Sequence, residues 1–361
     1  MPTAVPASTT IPLATLESAA DALGRDPRLA EALATAVRAL HARPDYAAWH
    51  GGGLTEGTPF EADAALPGAL ADLGLATGAR FLAKVNLLGG KVFLTDGVWV
   101  DKADRVFPFA DESETLIRHA AARVPGFEPD LVVDLATGCG HSAIGYPGEV
   151  RRFALDINPR ALAYARINGA MNGLSRDSLR VLANDVRDGV PVEVMKAGAA
   201  NVLFLANMPF GPSAGRGVLP LTSDGGESGV DLQLATVDAI DGFARAMGPS
   251  CRVRASIMGM TVGAPDLGRW EMMDPAIERF GADRVRWTHL PDELVYRVDG
   301  LRAGGNPSPL AEALSHMADC RLYFADAERD AVKARWRDLA ESLGARGWTH
   351  MGYGIVDVDL G

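Results

Sequence analysis

The sequence is poor in the residues that build disulfide frameworks, zinc sites and membrane spans. Its three cysteines, Cys139, Cys251 and Cys320, lie far apart and form no C-x-x-C pair, so neither a disulfide framework nor a metal site is expected. No segment approaches the ~18 uninterrupted apolar residues of a membrane helix, and the N-terminus has no signal-peptide pattern. We therefore expect a cytoplasmic protein without a membrane partner.

Basic residues are also fewer than acidic residues. Lys and Arg number 35 against 46 Asp and Glu, which gives a formal net charge of −11. Proteins that bind nucleic acid usually cluster Lys and Arg to neutralise phosphates, so the acidic balance disfavours a nucleic-acid partner. With 361 residues, 48% of them hydrophobic, the chain can bury a large core and suits one large domain with a smaller one.

The sequence pattern divides the chain into three parts. Residues 1–12 are small and proline-rich and are predicted to form a disordered tail. Residues 13–104 favour a mainly helical domain with a linking β-hairpin, and we expect this domain to bind substrate. Residues 105–361 alternate strands and helices, which predicts an α/β catalytic domain. A helical insertion is predicted within it, around 301–347.

The linking hairpin is predicted from a turn signal. Thr95-Asp96-Gly97 lies between residues 91–94 and 98–100, both rich in β-branched and aromatic side chains. Asp-Gly between such runs is typical of a tight β-turn.

Residues 131–158 organise the α/β part. An apolar strand ends at Asp134, a turn of small residues contains Gly138 and Gly140, and a second strand ends at Asp156. This is the layout of a nucleotide-binding β-α-β unit, whose second acid, roughly 20 positions on, can bond ribose hydroxyls. The third glycine of a dinucleotide site is absent and an acid precedes the turn. Both features favour a cationic ligand with an amino group, such as S-adenosylmethionine, over a pyrophosphate.

Polar side chains stand at the ends of successive predicted strands. They are Asp134, Asp156, the Asn184-Asp185 pair and Asn207. In open α/β sheets, ligands lie at the carboxyl ends of the strands. We expect Asp134 to orient the amino group of the methionine moiety and Asp156 to take the ribose hydroxyls. Asn184 and Asp185 would reach the adenine edge.

Four motifs resemble those of class I S-adenosylmethionine-dependent methyltransferases. They are DLATGCG (134–140), ALDINPRALAYARINGAMNGL (154–174), ND (184–185) and NMPF (207–210). The resemblance is greatest to the amino-methylating branch, which contains N5-glutamine and N6-adenine methyltransferases with an (N/D)PP(Y/F) signature. Fainter similarities are VFPFADESETL (106–116) and DGGESGVDL (224–232). The resemblance implies a Rossmann-like, seven-stranded core and S-adenosyl-L-methionine as the cofactor.

The same resemblance implies a set of site residues. The cofactor-binding residues would be Asp134, Ala136, Gly138, Gly140, Asp156, Ile157, Asn184, Asp185 and Asn207. The catalytic residues would be Asn207, Met208, Pro209 and Phe210. The substrate-binding residues would be Phe107, Phe109, Glu112 and Phe210.

The NMPF tetrapeptide indicates the chemistry. In the family it resembles, the Asn carboxamide oxygen and the next carbonyl accept both hydrogens of a target NH₂, and the aromatic ring stacks on the acceptor. Such positioned acceptors stabilise the charge that develops on nitrogen during methyl transfer. Met208 stands where the first proline is usual, so the carbonyl is kept while the fixed φ of proline is lost.

These observations predict methyl transfer to an amide or amine nitrogen of a small molecule or a specialised peptide. A protein glutamine and an RNA or DNA base remain open as acceptors. Two other classes also remain open, a cofactor-binding protein without catalysis and a nicotinamide-dependent oxidoreductase. The missing third glycine disfavours the oxidoreductase. The sequence leaves the oligomeric state undetermined.

Overall fold

The computed structural model describes residues 10–52, 59–62, 66–100, 103–108, 111–122, 126–215, 217–291, 306–318, 324 and 328–361. The helices are α1 (Leu13–Arg25), α2 (Pro27–His41), α3 (Pro44–Gly52), α4 (Gly68–Asp72), α5 (Asp111–Ala122), α6 (His141–Gly145), α7 (Pro159–Met171), α8 (Val192–Met195), α9 (Asp231–Met247), α10 (Met273–Phe280), α11 (Leu310–Ala318) and α12 (Arg329–Ala345). Short 3₁₀ turns occupy Val186–Asp188 and Pro265–Leu267.

The strands are β1 (Phe60–Glu61), β2 (Ala76–Thr77), β3 (Arg80–Phe81), β4 (Lys84–Leu88), β5 (Lys91–Thr95), β6 (Leu131–Asp134), β7 (Arg151–Asp156), β8 (Leu179–Ala183), β9 (Asn201–Asn207), β10 (Arg252–Ala264), β11 (Arg269–Trp270), β12 (Val285–His289), β13 (Ser308–Pro309) and β14 (His350–Asp359). Seven of them, β6–β10, β12 and β14, provide the strands expected for the core. The predicted α/β, Rossmann-like fold class is confirmed.

The chain forms two compact units. The first consists of Met1–Glu114 and Thr137–Ala183, and the second of Thr115–Ala136 and Asn184–Gly361. This grouping differs from the predicted boundary at residue 104. The reason is that α7, which follows the glycine turn in sequence, packs against the N-terminal helices α1 and α2.

Helix α7 is the centre of the first unit. Ten of its 13 residues are buried, because α1 and α2 cover it on one side while it also contacts β5, β7 and β8. Its start is fixed locally, since Asn158 caps the helix and Pro159 supplies a favourable first residue. Strands β7 and β8 pair in parallel in this unit.

The hairpin of the first unit differs from the predicted one. It pairs β4 with β5 around Gly89 and Gly90, whose φ values are 55° and 80°. Two consecutive residues with positive φ suit a two-residue hairpin turn, which glycine adopts without strain. The predicted second strand at 98–100 is therefore wrong.

A buried ion pair explains why Asp96 does not form a turn. The Asp96 carboxylate accepts hydrogen bonds from Arg160 Nε at 2.7 Å and from the Tyr164 hydroxyl at 2.9 Å. Arg160 Nη1 also donates to the carbonyl of Ile11 at 2.5 Å, and Ile11 is fully buried. Ile11 is therefore packed although it lies within the predicted tail 1–12, of which residues 1–9 lie outside the described part.

The second unit is built on a five-strand order, β12-β14-β10-β9-β6, with β11 beside β10 and β13 beside β14. Strand β9 runs parallel to β6 and β10, whereas β14 is antiparallel to β10 and β12. Parallel strands place their carboxyl ends at one edge, which sets the position of Asp134 and Asn207. The predicted C-terminal helices correspond to α11 and α12.

For cysteines, metal ligands and membrane helices, the structure can be compared with the sequence only within the described residues. Cys139 and Cys251 are both buried, Cys251 carries a free thiol, and Cys320 lies outside the described part. Within that part, no group of three or more His, Cys, Asp or Glu side chains is arranged to hold a metal ion. No helix in the described ranges has the length and apolar character needed to cross a membrane.

Candidate active site

The glycine turn of the first unit adopts a backbone that favours glycine. Gly138 and Gly140 have φ values of 53° and 94°. A Cβ on Gly140 would come within 2.6 Å of Ile144 Cδ1, so the Ile144 side chain would have to move to admit a larger residue. At Gly138, no atom of the described residues lies within 4 Å of the place a Cβ would take. The turn is therefore packed against Ile144 at Gly140 and has free space beside Gly138.

Asp156 is held beside this turn by backbone donors. Its Oδ2 accepts from Gly138 N at 2.8 Å and its Oδ1 from Asn158 N at 2.9 Å. Burial raises the pKa of Asp156, and the backbone N–H groups of Asn158, Gly138 and Ile157 act against that rise. Each carboxylate oxygen has lone-pair capacity beyond one bond, so the group can still accept two hydroxyl hydrogen bonds.

Ile157, the residue after Asp156, offers an apolar surface next to the acid. Ile157 is apolar yet 54% exposed, and it directly follows the acid in sequence. A carboxylate with spare acceptor capacity, a neighbouring apolar surface and open space at Gly138 suit the ribose and base of S-adenosylmethionine. The three residues in the first unit fit the cofactor that the sequence predicts.

The predicted substrate segment is attached to the hairpin. Lys84 Nζ and Asn86 Nδ2, both buried on β4, donate to the carbonyl of Pro108 at 2.6 and 3.2 Å. Phe107 precedes that proline and is half-buried, as is Glu112 at the start of α5. Phe109 lies outside the described residues. The two carbonyl contacts thus fix the backbone on which Phe107 stands.

Burial changes the proton affinity of two bases in the first unit. It lowers the pKa of Lys84 to about 8, which nearby Asp111 and Cys139 partly oppose. It also lowers the pKa of His141 to about 3, with a further contribution from the Lys84 charge. The His141 ring packs edge-on against Phe93, 4.6 Å between centroids. His141 is therefore a neutral packing residue, as expected of the first turn of α6.

In the second unit, Asp134 and Asn207 end neighbouring parallel strands. Asp134 is opposite Leu205, two positions before Asn207, and it is 1% exposed. Ala136, in the turn after β6, is half-buried. The structure thus brings Asp134 and the first residue of the tetrapeptide to the same strand edge, as the sequence predicts.

Asn184 and Asp185 serve a local structure after β8. Asn184 Nδ2 donates to the carbonyl of Gly189 at 3.1 Å, and Asp185 caps the following 3₁₀ turn through Arg187 N at 3.0 Å. Asp185 also pairs with the Arg187 guanidinium at 3.3 Å. Their predicted contact with an adenine edge stays a prediction.

The backbone at two glycines packs closely against the backbone of the NMPF tetrapeptide. A Cβ on Gly225 would lie 2.8 Å from Phe210 Cα, and one on Gly229 would lie 2.4 Å from the Phe210 carbonyl oxygen. Backbone bonds support this arrangement, from Gly211 N to the Ser223 carbonyl at 2.7 Å and from Gly225 N to the Gly211 carbonyl at 2.9 Å. The DGGESG segment therefore folds back onto the tetrapeptide, and only glycine allows that approach.

The aromatic residue of the tetrapeptide has an aromatic neighbour. Phe210 is half-buried, and its ring centroid lies 5.1 Å from that of Tyr353 on β14, with the planes tilted by 44°. Met208 is buried at 3% exposure, while Pro209 is half-buried. Phe210 is thus supported from one side and keeps exposed surface on which a planar group can stack.

Sequence reasoning missed Tyr353 and Gln233, which both lie near the tetrapeptide. Tyr353 stands in an alternating C-terminal strand with no local signal for its neighbour. Gln233 does carry a signal, because it shares a buried helical stripe with Thr236, Val237 and Ile240. A glutamine at such a position is an unexpected residue on a core-facing helix stripe.

No protein-family model matches the sequence, and no curated protein matches it. Solved structures similar to the chain include the M. jannaschii tRNA m1G37 methyltransferase, which is 13% identical over 60% of this chain and 54% of that chain, with a TM-score of 0.37. A geranyl diphosphate methyltransferase in complex with GPP and sinefungin is 11% identical over 68% and 76%, with a TM-score of 0.36.

A third similar structure is phosphoethanolamine N-methyltransferase 2 of Haemonchus contortus in complex with S-adenosyl-L-methionine. It is 10% identical over 68% of this chain and 52% of that chain, with a TM-score of 0.35. The chain thus spans about half the length of the tRNA enzyme and of the Haemonchus enzyme.

Proposed function

We propose that this protein is an S-adenosylmethionine-dependent methyltransferase that methylates an amide or amine nitrogen of a small molecule or a specialised peptide. The observation that carries the proposal is Asn207 at the carboxyl end of β9, where it begins a tetrapeptide that glycine contacts hold against the fold. Beside it, the parallel strand β6 ends in the buried Asp134. A carboxamide in that position is suited to hold an acceptor, not to transfer a proton.

The proposed cofactor is S-adenosylmethionine, and each cofactor-binding residue has a separate proposed role. Asp156 would accept the ribose hydroxyls, Ile157 would pack on the adenine, and Gly138 would leave room for the ligand. Asp134 would meet the amino group of the methionine moiety. The remaining cofactor-binding residues in the proposal are Ala136, Gly140, Asn184 and Asp185. When bound, S-adenosylmethionine supplies an electrophilic methyl group.

The protein's own contribution to the reaction is positioning. The Asn207 carboxamide oxygen and the Met208 carbonyl would accept the two hydrogens of the acceptor NH₂, which aims the nitrogen lone pair. Both are dipoles fixed in advance, so they stabilise the positive charge that develops on nitrogen without reorganising. Phe210, supported by Tyr353, would stack on a planar acceptor. Asp134 lies on the neighbouring strand and is not required as a base.

A transfer assay with substituted Asn207 tests this proposal. Labelled methyl transfer would be measured from S-adenosylmethionine to N-acetylglutamine methylamide, to adenosine and to a deproteinised extract of the source cells. Asn207→Ala should reduce transfer by roughly 10²-fold or more, the scale of removing one preorganised hydrogen bond to the transition state. Asn207→Asp should keep partial activity, since a carboxylate oxygen can still accept the hydrogen bond that the carboxamide oxygen would accept.

The matched control is Asn201→Ala, at the opposite end of the same strand β9. Its transfer rate should equal that of the wild type. Equal rates for wild type and Asn207→Ala would contradict the proposal. Transfer to adenosine and not to the amide would move the acceptor towards nucleic-acid bases, an outcome that the net charge of −11 disfavours.

A further inference from the structure

Gln233 is a fully buried polar residue beside the tetrapeptide. It is the third residue of α9, and its side chain has no exposed surface. Nε2 lies 3.5 Å from the carbonyl oxygen of Pro209. The glutamine carboxamide therefore lies at the Pro209–Phe210 peptide. This peptide directly follows the Asn207 carboxamide and the Met208 carbonyl, which are the two groups proposed to bind the acceptor.

Gly259 makes room for this carboxamide. It follows Met258, the residue of β10 that is opposite Asn207. A Cβ on Gly259 would come within 2.7 Å of Gln233 Nε2 and 3.4 Å of its Cδ. Gln233 thus extends from α9 over the strand that borders the tetrapeptide, and the absence of a side chain at Gly259 permits it.

The stability of the fold gives no reason for a glutamine at this position. No described residue donates a hydrogen bond to Gln233 Oε1, although that atom is buried. Leaving a buried acceptor without a donor costs about 1–3 kcal/mol, and leucine or methionine would fill a similar volume without that cost. A buried polar group of this kind calls for a functional explanation.

We propose that Gln233 is a positioning residue that fixes the Pro209 carbonyl and, through it, the peptide planes of NMPF. The inference rests on the proposed function, because what Gln233 positions is the acceptor-binding tetrapeptide. Two consecutive prolines restrict this backbone in the (N/D)PP(Y/F) signature. In this chain Met208 replaces the first of them and loses the fixed φ. Gln233 supplies a restraint at the next peptide, together with the glycine contacts to Phe210.

Two substitutions remove the same contact in different ways. Gln233→Leu removes the donor, and Gly259→Ala places a methyl group 2.7 Å from Nε2, so the carboxamide must move. Each should lower kcat for the acceptor probes of the preceding section by about 10-fold, with the Kd for S-adenosylmethionine unchanged. Because both act through one contact, the double variant should be no slower than the slower single variant.

A spectroscopic readout makes the test independent of any acceptor. In protein labelled with ¹³C-carbonyl proline and ¹⁵N phenylalanine, the Pro209–Phe210 peptide gives one of a few correlated resonances. It should shift in Gln233→Leu and in Gly259→Ala, and stay in place in the control Gly242→Ala, a glycine of the same helix with open space around it.

The outcomes separate this inference from the proposed function. Unchanged Pro209 and Phe210 resonances in Gln233→Leu, or additive rate losses in the double variant, would overturn the positioning role. Shifted resonances in a protein that transfers no methyl group would retain it and reject the methyltransferase. A lowered melting temperature in Gln233→Leu with unshifted resonances would show a purely structural residue. Gln233→Met provides the same test if the leucine variant does not fold.

Discussion

The two units hold their predicted site segments mainly by different contacts. In the first unit, buried polar side chains bind backbone and one another, as Asp96 does with Arg160 and Asn168 with Leu94. In the second, the tetrapeptide is held by glycines whose missing side chains let two backbones meet, at Gly225 and Gly229. The first arrangement should therefore fail when a side chain is removed. The second should fail when a side chain is added.

The largest effect is expected from deleting a side chain in the first unit. Asp96→Ala leaves the Arg160 guanidinium buried without its carboxylate partner. We expect this to lower the unfolding free energy by about 3–5 kcal/mol. Chemical denaturation followed by circular dichroism measures it. The control is Glu61→Ala, which breaks an exposed ion pair with Arg80 and should cost about 1 kcal/mol or less. Similar losses in both variants would refute the distinction.

Adding one methyl group in the second unit should have the next largest effect. Gly229→Ala puts a Cβ only 2.4 Å from the Phe210 carbonyl oxygen, at a φ of 87°, so the backbone of the tetrapeptide must shift. We expect methyl transfer to fall by about 10²-fold, while cofactor affinity stays within a few-fold.

The matched control for that substitution is Gly217→Ala in the same loop. It has a positive φ of 75° but open space around the Cβ position. It should therefore show only a modest loss of stability with a near-normal transfer rate. If both alanine variants lose activity alike, backbone strain and not close approach explains the loss.

Asn168 joins the hairpin of the first unit to the glycine turn. Its carboxamide bonds both the N–H and the carbonyl of Leu94 and also the carbonyl of Cys139. Asn168→Ala should cost about 1–3 kcal/mol of unfolding free energy and weaken S-adenosylhomocysteine binding in calorimetry. Asn172→Ala is the control, since Asn172 bonds Val92 and not the glycine turn. It should destabilise the hairpin and leave the binding constant unchanged.

The smallest effect is a pH dependence of stability that comes from Lys84. Burial lowers the pKa of Lys84 in the folded state from its ordinary value of 10.5 to about 8. Between those values the unfolded chain binds more protons than the folded one, so the unfolding free energy rises with pH. The rise from about pH 7.5 to about pH 9 should be about 1 kcal/mol. Lys84→Met should abolish it, and an identical pH profile in that variant would contradict the buried-amine account.

Local sequence signals were sufficient to predict most of the fold. The helices that begin at Pro27 and Pro159 each follow an Asp or Asn cap, a signal that lies within two adjacent residues. The glycine turn and its acid were predicted because the spacing itself carries the signal. These features depend on residues close together in sequence.

The errors come from contacts between distant residues. Gly89-Gly90 and Asp96-Gly97 both resemble hairpin turns, and only the buried bond of Asp96 to Arg160 on α7 decides between them. Tyr353 reaches Phe210 from the end of the chain. No pattern near either residue indicates the contact. The polar residue at Gln233 was visible in the helical stripe, but its neighbours Pro209 and Gly259 required the tertiary structure.

The position of the transferred methyl group tests the central claim most directly. The protein would be incubated with S-adenosylmethionine labelled with ¹³C in its methyl group and with the deproteinised extract, and the products examined by NMR. We predict a new ¹³C-methyl signal coupled to nitrogen that is present with the wild type and absent with Asn207→Ala. A methyl group on carbon or oxygen, or an N-methyl signal of wild-type intensity in the Asn207→Ala reaction, would contradict the account.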